Sequence, residues 1–145
     1  EMCIRDSYQG RYSLFSREPE KTGILKQAQE NGSGFIAFSP LAQGLLTNRY
    51  LNGIPEDSRM ARGGFLKKEA LTEETLNRIK ALNALALQRG QTLAEMSLAW
   101  LLKDESVTSV IIGASSVGQL ADNLKALDNT SFTQEELSLI ENILA

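Results

Sequence analysis

Two short segments of this chain carry residue types that suit a phosphorylated ligand: Phe38-Ser39-Pro40-Leu41-Ala42-Gln43-Gly44 and Gly113-Ala114-Ser115-Ser116. Each follows a short apolar run and precedes a turn or helical pattern, and ligands in parallel α/β folds sit at the carboxyl ends of strands. In the second segment, backbone N–H groups and hydroxyls at a helix N-terminus suit a phosphate. On the helix that follows, Gln119, Asp122 and Asn123 are three and four residues apart and share a face. All three carry amide or carboxylate groups able to read the edge of a heterocycle. Arg49, Arg59 and Arg62 offer guanidinium groups that can clamp phosphate oxygens. On composition alone, a capped helix at Ser116, a core-filling Phe38, a solvated helix face and a charged surface loop account for the same residues.

The whole composition removes several other chemistries. The 145 residues contain no His and one Cys. That excludes Ser-His-Asp and Cys-His triads, histidine-ligated zinc and an intramolecular disulfide framework within this chain. Lys+Arg total 15 against Asp+Glu 18, a net charge of −3, without the basic excess of a general nucleic-acid or anionic-membrane binder. No apolar run approaches the length of a membrane span, and the N-terminus shows no export signal. A cytoplasmic protein of one domain is expected, with no nucleic-acid or membrane partner and no metal.

The elements that must position these residues follow from the apolar pattern. Tyr12-Ser13-Leu14-Phe15 reads as a strand end, and Pro19 opens a helix with Ile24, Leu25 and Ala28 on one face and a stop at Asn31-Gly32. Gly34–Phe38 reads as a buried strand. Residues 51–70 lack any sustained period and read as a long loop of the kind that often acts as a lid. Thr72, with a Leu71/Leu76 staple, starts a helix whose stripe is Leu76, Ile79, Leu82 and Ala86 and which Gly90 ends. Thr92 and Glu95 form a capping box before Leu93, Met96 and Trp100. Val107–Ile112 reads as a second buried strand. Ser116 and Gln119 then box a helix anchored by Leu120, Leu124 and Leu127. Thr133 and Glu136 box the last helix, with a Phe132/Leu137 staple and a Leu137, Ile140, Leu144 stripe. This βα alternation predicts an α/β parallel-sheet architecture, either a small doubly wound sheet or one part of a larger (β/α) barrel.

Phe38-Ser39-Pro40-Leu41-Ala42-Gln43-Gly44-Leu45, then Arg49-Tyr50, Gly53-Ile54-Pro55 and Ser58-Arg59, then Ile112-Gly113-Ala114-Ser115, Gln119-Leu120 and Asn123, resemble the C-terminal half of an aldo-keto reductase. Within that family the bacterial glyceraldehyde 3-phosphate reductases and the β subunits of voltage-gated potassium channels are the most similar-looking groups. The resemblance runs from about Gln9 to the C-terminus. It implies a TIM-type (β/α)8 barrel, of which this chain holds about strands six to eight, their helices and an extra C-terminal helix. Residues 1–7 fit no part of the pattern and are expected to be a non-native leader before residues 8–145, a divergent native start being the alternative.

The resemblance also implies NADP(H) and a small aldehyde or ketone substrate reduced by hydride transfer. Gln9 would bond the nicotinamide amide, and Phe38 would stack on its ring. Ser39, Pro40, Leu41, Ala42 and Gln43 would line the pyrophosphate, with Arg49 and Arg59 supplying charge. Gly113, Ser115 and Gln119 would surround the adenosine 2′-phosphate, and Asp122 with Asn123 would face the adenine. Phe38 stands where many relatives have Trp or Tyr, and Asp122 where Glu is commoner. Many relatives also place Lys near the adenosine phosphates, where this chain has Arg49 or Ala114. The family's acid Tyr and its Lys, Asp and His partners belong to the N-terminal half, so catalytic residues are expected outside this chain. A nucleotide-binding regulatory module, or a piece without independent function, are the competing expectations.

Overall fold

The apolar run Gly34–Phe38 is too short for a core helix and forms the central strand, β2, of a three-stranded parallel sheet. The structure, a computed structural model, describes residues 6–51 and 71–145. β1 (Ser7–Arg11) pairs with one edge of β2 and β3 (Ser109–Ile111) with the other. Ser7, grouped with the leader in the sequence reading, therefore begins a strand and pairs with Gly34. Between the strands run α1 (Glu18–Lys21), α2 (Ile24–Glu30), α3 (Glu73–Gln88) and α4 (Leu93–Leu101); α5 (Val117–Leu124) and α6 (Gln134–Leu144) follow β3. No helix among the described residues is long and apolar enough to cross a membrane. The long-loop expectation for 51–70, with Arg59, Arg62 and Gly53 to Ser58, lies outside the described residues apart from Leu51.

Alternation along each strand gives the sheet two unlike faces. Tyr8 touches Phe35 at 5.7 Å between ring centroids, and a Cβ on Gly10 would stand only 2.8 Å from the Phe35 ring. Tyr8, Gly10, Phe35 and Ala37 thus share the face that meets the helices, and Val110 packs there too. Gln9, Arg11, Ile36, Phe38, Ser109 and Ile111 occupy the opposite face, where none of them is fully buried.

The helical layer is built around Trp100, 1% exposed, which sits 5.5 Å from the Tyr12 ring. α4 is buried almost all round, from Leu93 to Leu101 with only Ala94 partly open. Its capping box is the expected one, Thr92 Oγ1 accepting from the Glu95 N–H and Glu95 accepting from the Thr92 N–H. Thr133 and Glu136 close the same box on α6, and Thr72 caps α3.

Four local expectations are corrected. Strand pairing ends at Arg11, and Leu14-Phe15 lie in a turn closed by reciprocal bonds between Ser13 and Ser16. The helix expected through Asn31 breaks at Gly23, whose φ of +74° only glycine adopts without strain. β3 is three residues long with an exposed margin, not a six-residue buried strand, because nothing among the described residues pairs with its far edge. Leu120, Leu124 and Leu127 are 42%, 53% and 62% exposed. The segment packs against α4 and turns Asn123 and Ala126 inward, so the leucine row faces away.

The C-terminal helix is held by two buried or half-buried arginines. Arg89 lies over the Phe132 ring at 3.7 Å and meets the Glu136 carboxylate at 2.6 Å. Burial pushes the Glu136 carboxyl up, but the Thr133 N–H and the Arg89 guanidinium outweigh it and hold the group below its ordinary 4.5. A carboxylate depressed in the folded state stabilises the fold above its unfolded pKa and loses that contribution as pH falls through the folded one. Stability should therefore drop on acidification below about pH 4.5, the ordinary value for this group. Glu136→Gln should flatten that drop, as read from urea midpoints at several pH values; an unchanged pH profile would contradict the assignment.

Arg17 is the second clamp. Its guanidinium bonds both Glu20 oxygens through Nε at 3.0 Å and both Glu141 oxygens at 2.6 Å, and it lies 5.1 Å from the Trp100 ring centre. Tyr12 donates to Glu20. Its phenol is pushed up by burial and then by that carboxylate acceptor, so it remains a donor.

Candidate functional site

Parallel strands end at one edge, and here the end of β2 lies between those of its neighbours. Register places Arg11 beside Phe38 and Phe38 beside Ile111. Gln9 stands one pleat back on the same face, level with Ile36. Phe38 is half-buried and presents part of its ring to the open face.

The chain leaves β2 through a strained turn. Ser39, Ala42 and Gln43 have φ of +54°, +47° and +59°, a region that costs a non-glycine residue roughly 1–3 kcal/mol. Three such residues within five persist because the turn is pinned from below. Ala42, Leu45, Leu46 and Tyr50 are buried, the Ala42 N–H bonds the Ser39 carbonyl at 3.0 Å, and Thr47 Oγ1 donates to the Gly44 carbonyl at 2.7 Å. Arg49 is exposed on the 3-10 turn Asn48–Tyr50, its backbone N–H held by Thr47 Oγ1.

The β3–α5 junction is open to solvent from Gly113 to Leu120. Ser116 caps the Gln119 N–H, as expected, but the reciprocal half of the box is not made. Gln119 Oε1 instead accepts from the Ser115 N–H at 2.8 Å and from Ser115 Oγ at 2.9 Å. That fixes the amide with its Nε2 hydrogens turned away from Ser115, and the first-turn N–H groups of Val117 and Gly118 have no partner among the described residues and suit an anion. The face shared by Gln119, Asp122 and Asn123 is divided: Gln119 and Asp122 are exposed, and Asn123 is buried. Asp122 accepts from Lys125 at 2.7 Å, a bond that raises the Lys125 pKa. Buried Asn123 Nδ2 has no partner among the described residues.

Gln9, Phe38, the Ser39–Gln43 turn and the Gly113–Asn123 segment are thus brought to one edge of one sheet, whereas Arg59 lies outside the described residues. Arg11 shares this face and edge, beside Phe38. Extending the alternation one step from Gln9 identifies it.

The profile of the Aldo/keto reductase family matches residues 5–145. The chain belongs to the aldo/keto reductase family. It is 54% identical over 142 residues to an L-glyceraldehyde 3-phosphate reductase of Escherichia coli O157:H7, a match covering 95% of this chain and 41% of that protein. It is 38% identical over 123 residues to a probable voltage-gated potassium channel subunit beta of Oryza sativa subsp. japonica, covering 83% of this chain and 38% of that one. Superposed on a crystal structure of a thermostable aldo-keto reductase in complex with the inhibitor epalrestat, it gives a TM-score of 0.64 at 26% identity, covering 93% of this chain and 38% of the other. This chain thus spans about two fifths of these relatives, and its three parallel strands and helices are part of an aldo-keto reductase barrel.

The residues of this aldo-keto reductase chain fit a dinucleotide on their own chemistry. Open N–H groups at α5 suit a phosphate, and a half-buried aromatic at Phe38 suits a flat heterocycle.

Proposed function

We propose that this chain is the NADP(H)-binding part of a reductase that acts on small aldehydes or ketones. The observation that carries the reading is that Gln9 and Phe38 share one sheet face, with the strained Ser39–Gln43 turn and the α5 N-terminus along the same edge. Phe38 stacks against the nicotinamide and leaves one ring face toward the open side of the sheet, while Gln9 bonds its amide. The backbone of Ser39, Pro40, Leu41, Ala42 and Gln43 follows the pyrophosphate at close range; Arg59 supplies positive charge to the phosphates, and Arg49 supplies it to the 2′-phosphate. Gly113, Ser115 and Gln119 surround the 2′-phosphate; Asp122 and Asn123 face the adenine. NADP(H), when bound, supplies the hydride, and the work of these residues is to orient it and exclude water.

The chain has no His, and in this reading the acid that protonates the carbonyl oxygen comes from barrel residues outside these 145. The higher identity to the reductase, 54% against 38% for the channel subunit, favours a reductase over a regulatory module. The test is NADPH oxidation with a panel of small aldehydes. The chain alone should give none above buffer, and the chain joined to its upstream coding sequence should turn over. Activity of the chain alone would contradict this division of labour, and inactivity of the joined protein would contradict the function.

A further inference from the structure

Thr47 stands between the turn after β2 and the 3-10 turn Asn48–Tyr50 that carries Arg49. It is half-buried, with an extended backbone at φ −139° and ψ 170°. Its one hydroxyl makes two bonds of opposite sense, for Oγ1 donates to the Gly44 carbonyl at 2.7 Å and accepts from the Arg49 N–H at 3.3 Å. A hydroxyl has a single proton, so with that proton on Gly44 only a lone pair is left for Arg49.

Both ends of this bridge are tied to the fold. Gly44 closes the strained turn: its φ is +100°, its N–H bonds the Leu41 carbonyl at 2.9 Å, and a Cβ there would stand 3.6 Å from Tyr50 Cε2. Tyr50, next to Arg49, is buried. The Arg49 backbone is therefore held between a capped N–H and a buried neighbour, at a fixed offset from the Ser39–Gln43 turn, and all of these contacts lie within residues 41–50. On the reading above, that turn follows the pyrophosphate, which both nicotinamide dinucleotides carry, whereas Arg49 meets the 2′-phosphate, which only NADPH carries. We propose that Thr47 is a specificity-determining positioning residue, whose hydroxyl sets the Arg49 backbone at the distance from the pyrophosphate turn that the 2′-phosphate requires. The inference rests on the proposed role of Arg49 and adds to it the residue that acts through Arg49.

Thr47→Val keeps the branched shape and suits the extended backbone but lacks both hydrogen-bonding functions, whereas Thr47→Ser keeps them. The test titrates NADPH and NADH, by nicotinamide fluorescence, against the chain joined to its upstream coding sequence. The proteins compared are the parent, Thr47→Val, Thr47→Ser, Arg49→Ala and the double variant of Thr47→Val with Arg49→Ala. Thr47→Val should lower the ratio of NADPH to NADH affinity about two- to ten-fold, the range expected of one neutral hydrogen bond. Thr47→Ser should hold the parent ratio. In the double variant the ratio should stay where Arg49→Ala alone puts it, because the hydroxyl acts only through Arg49. Equal losses of both nucleotides in Thr47→Val overturn the proposal, since a hydroxyl that merely stiffened the turn would weaken both alike. A further fall of the ratio in the double variant overturns it as well. A ratio that Arg49→Ala leaves unaltered removes the 2′-phosphate role of Arg49 and this inference with it, whereas a ratio that Arg49→Ala lowers and Thr47→Val does not removes this inference alone.

Discussion

Trp100→Ala should lower the unfolding free energy by about 3–5 kcal/mol, the cost of truncating a large aromatic side chain in a packed core. The indole is 1% exposed and lies 5.5 Å from the Tyr12 ring at a tilt of 55°, and both Arg17 and Lys103 approach it, at 5.1 and 4.3 Å from the centre. Removing it opens a cavity where the β1 turn, α4 and the Arg17 clamp to α6 meet, so the loss reaches three elements together. A marginal domain holds only about 5–15 kcal/mol in total. Trp100→Phe should lose far less, because it keeps most of the ring volume and also removes the buried Nε1–H, which has no partner among the described residues. Urea unfolding of both variants reads the difference. An alanine variant within about 1 kcal/mol of the parent would mean that the core is organised elsewhere.

The second large effect concerns nucleotide discrimination. Arg49→Ala should weaken NADPH about ten- to a hundred-fold more than NADH, since a charge-assisted hydrogen bond contributes about 1.5–3 kcal/mol and ~1.4 kcal/mol is tenfold in affinity. Tyr50 is buried and Thr47 holds the Arg49 N–H, so the turn that carries this side chain is anchored while the side chain itself is exposed. Phe38→Ala should behave otherwise. It removes a stacking surface that both cofactors share, so it should weaken them about equally. Paired titrations of the two variants with both nucleotides separate the cases. Equal losses of NADPH and NADH in Arg49→Ala would return this residue to the solvated surface.

What could be read from the sequence was what depends on near neighbours. The boxes at Thr92/Glu95 and Thr133/Glu136 need only a spacing of three, and Gly34–Phe38 needs only an unbroken apolar run bounded by turn residues. The inward direction of α5 depends on α4, far away in sequence until the chain folds. Leu120, Leu124 and Leu127 look like a core stripe, yet Asn123 and Ala126 take the buried positions. An amide was buried in preference to three leucines, which no hydrophobic pattern predicts. The break at Gly23 was likewise hidden, because Ile24, Leu25 and Ala28 keep helical spacing on its far side alone.

The candidate site divides in the same manner. Its two junctions were legible as strand ends, whereas the roles of single residues came from the resemblance to a family. Arg11 stands beside Phe38 through strand pairing, while the alternating pattern legible in the sequence begins only at Tyr12. The switch of Gln119 from Ser116 to Ser115 is a choice between two adjacent partners that spacing cannot resolve.

The most direct test of the account is a hydrogen-exchange footprint of NADPH on the chain. Saturating NADPH should slow exchange at Leu41–Gln43, Ser115–Gly118 and the backbone near Asn123, and leave the clefts beneath α6, lined by Arg17, Glu20 and Glu141, unchanged. Protection at the α6 clefts, or none at the ends of β2 and β3, would contradict a dinucleotide site at this edge of the sheet.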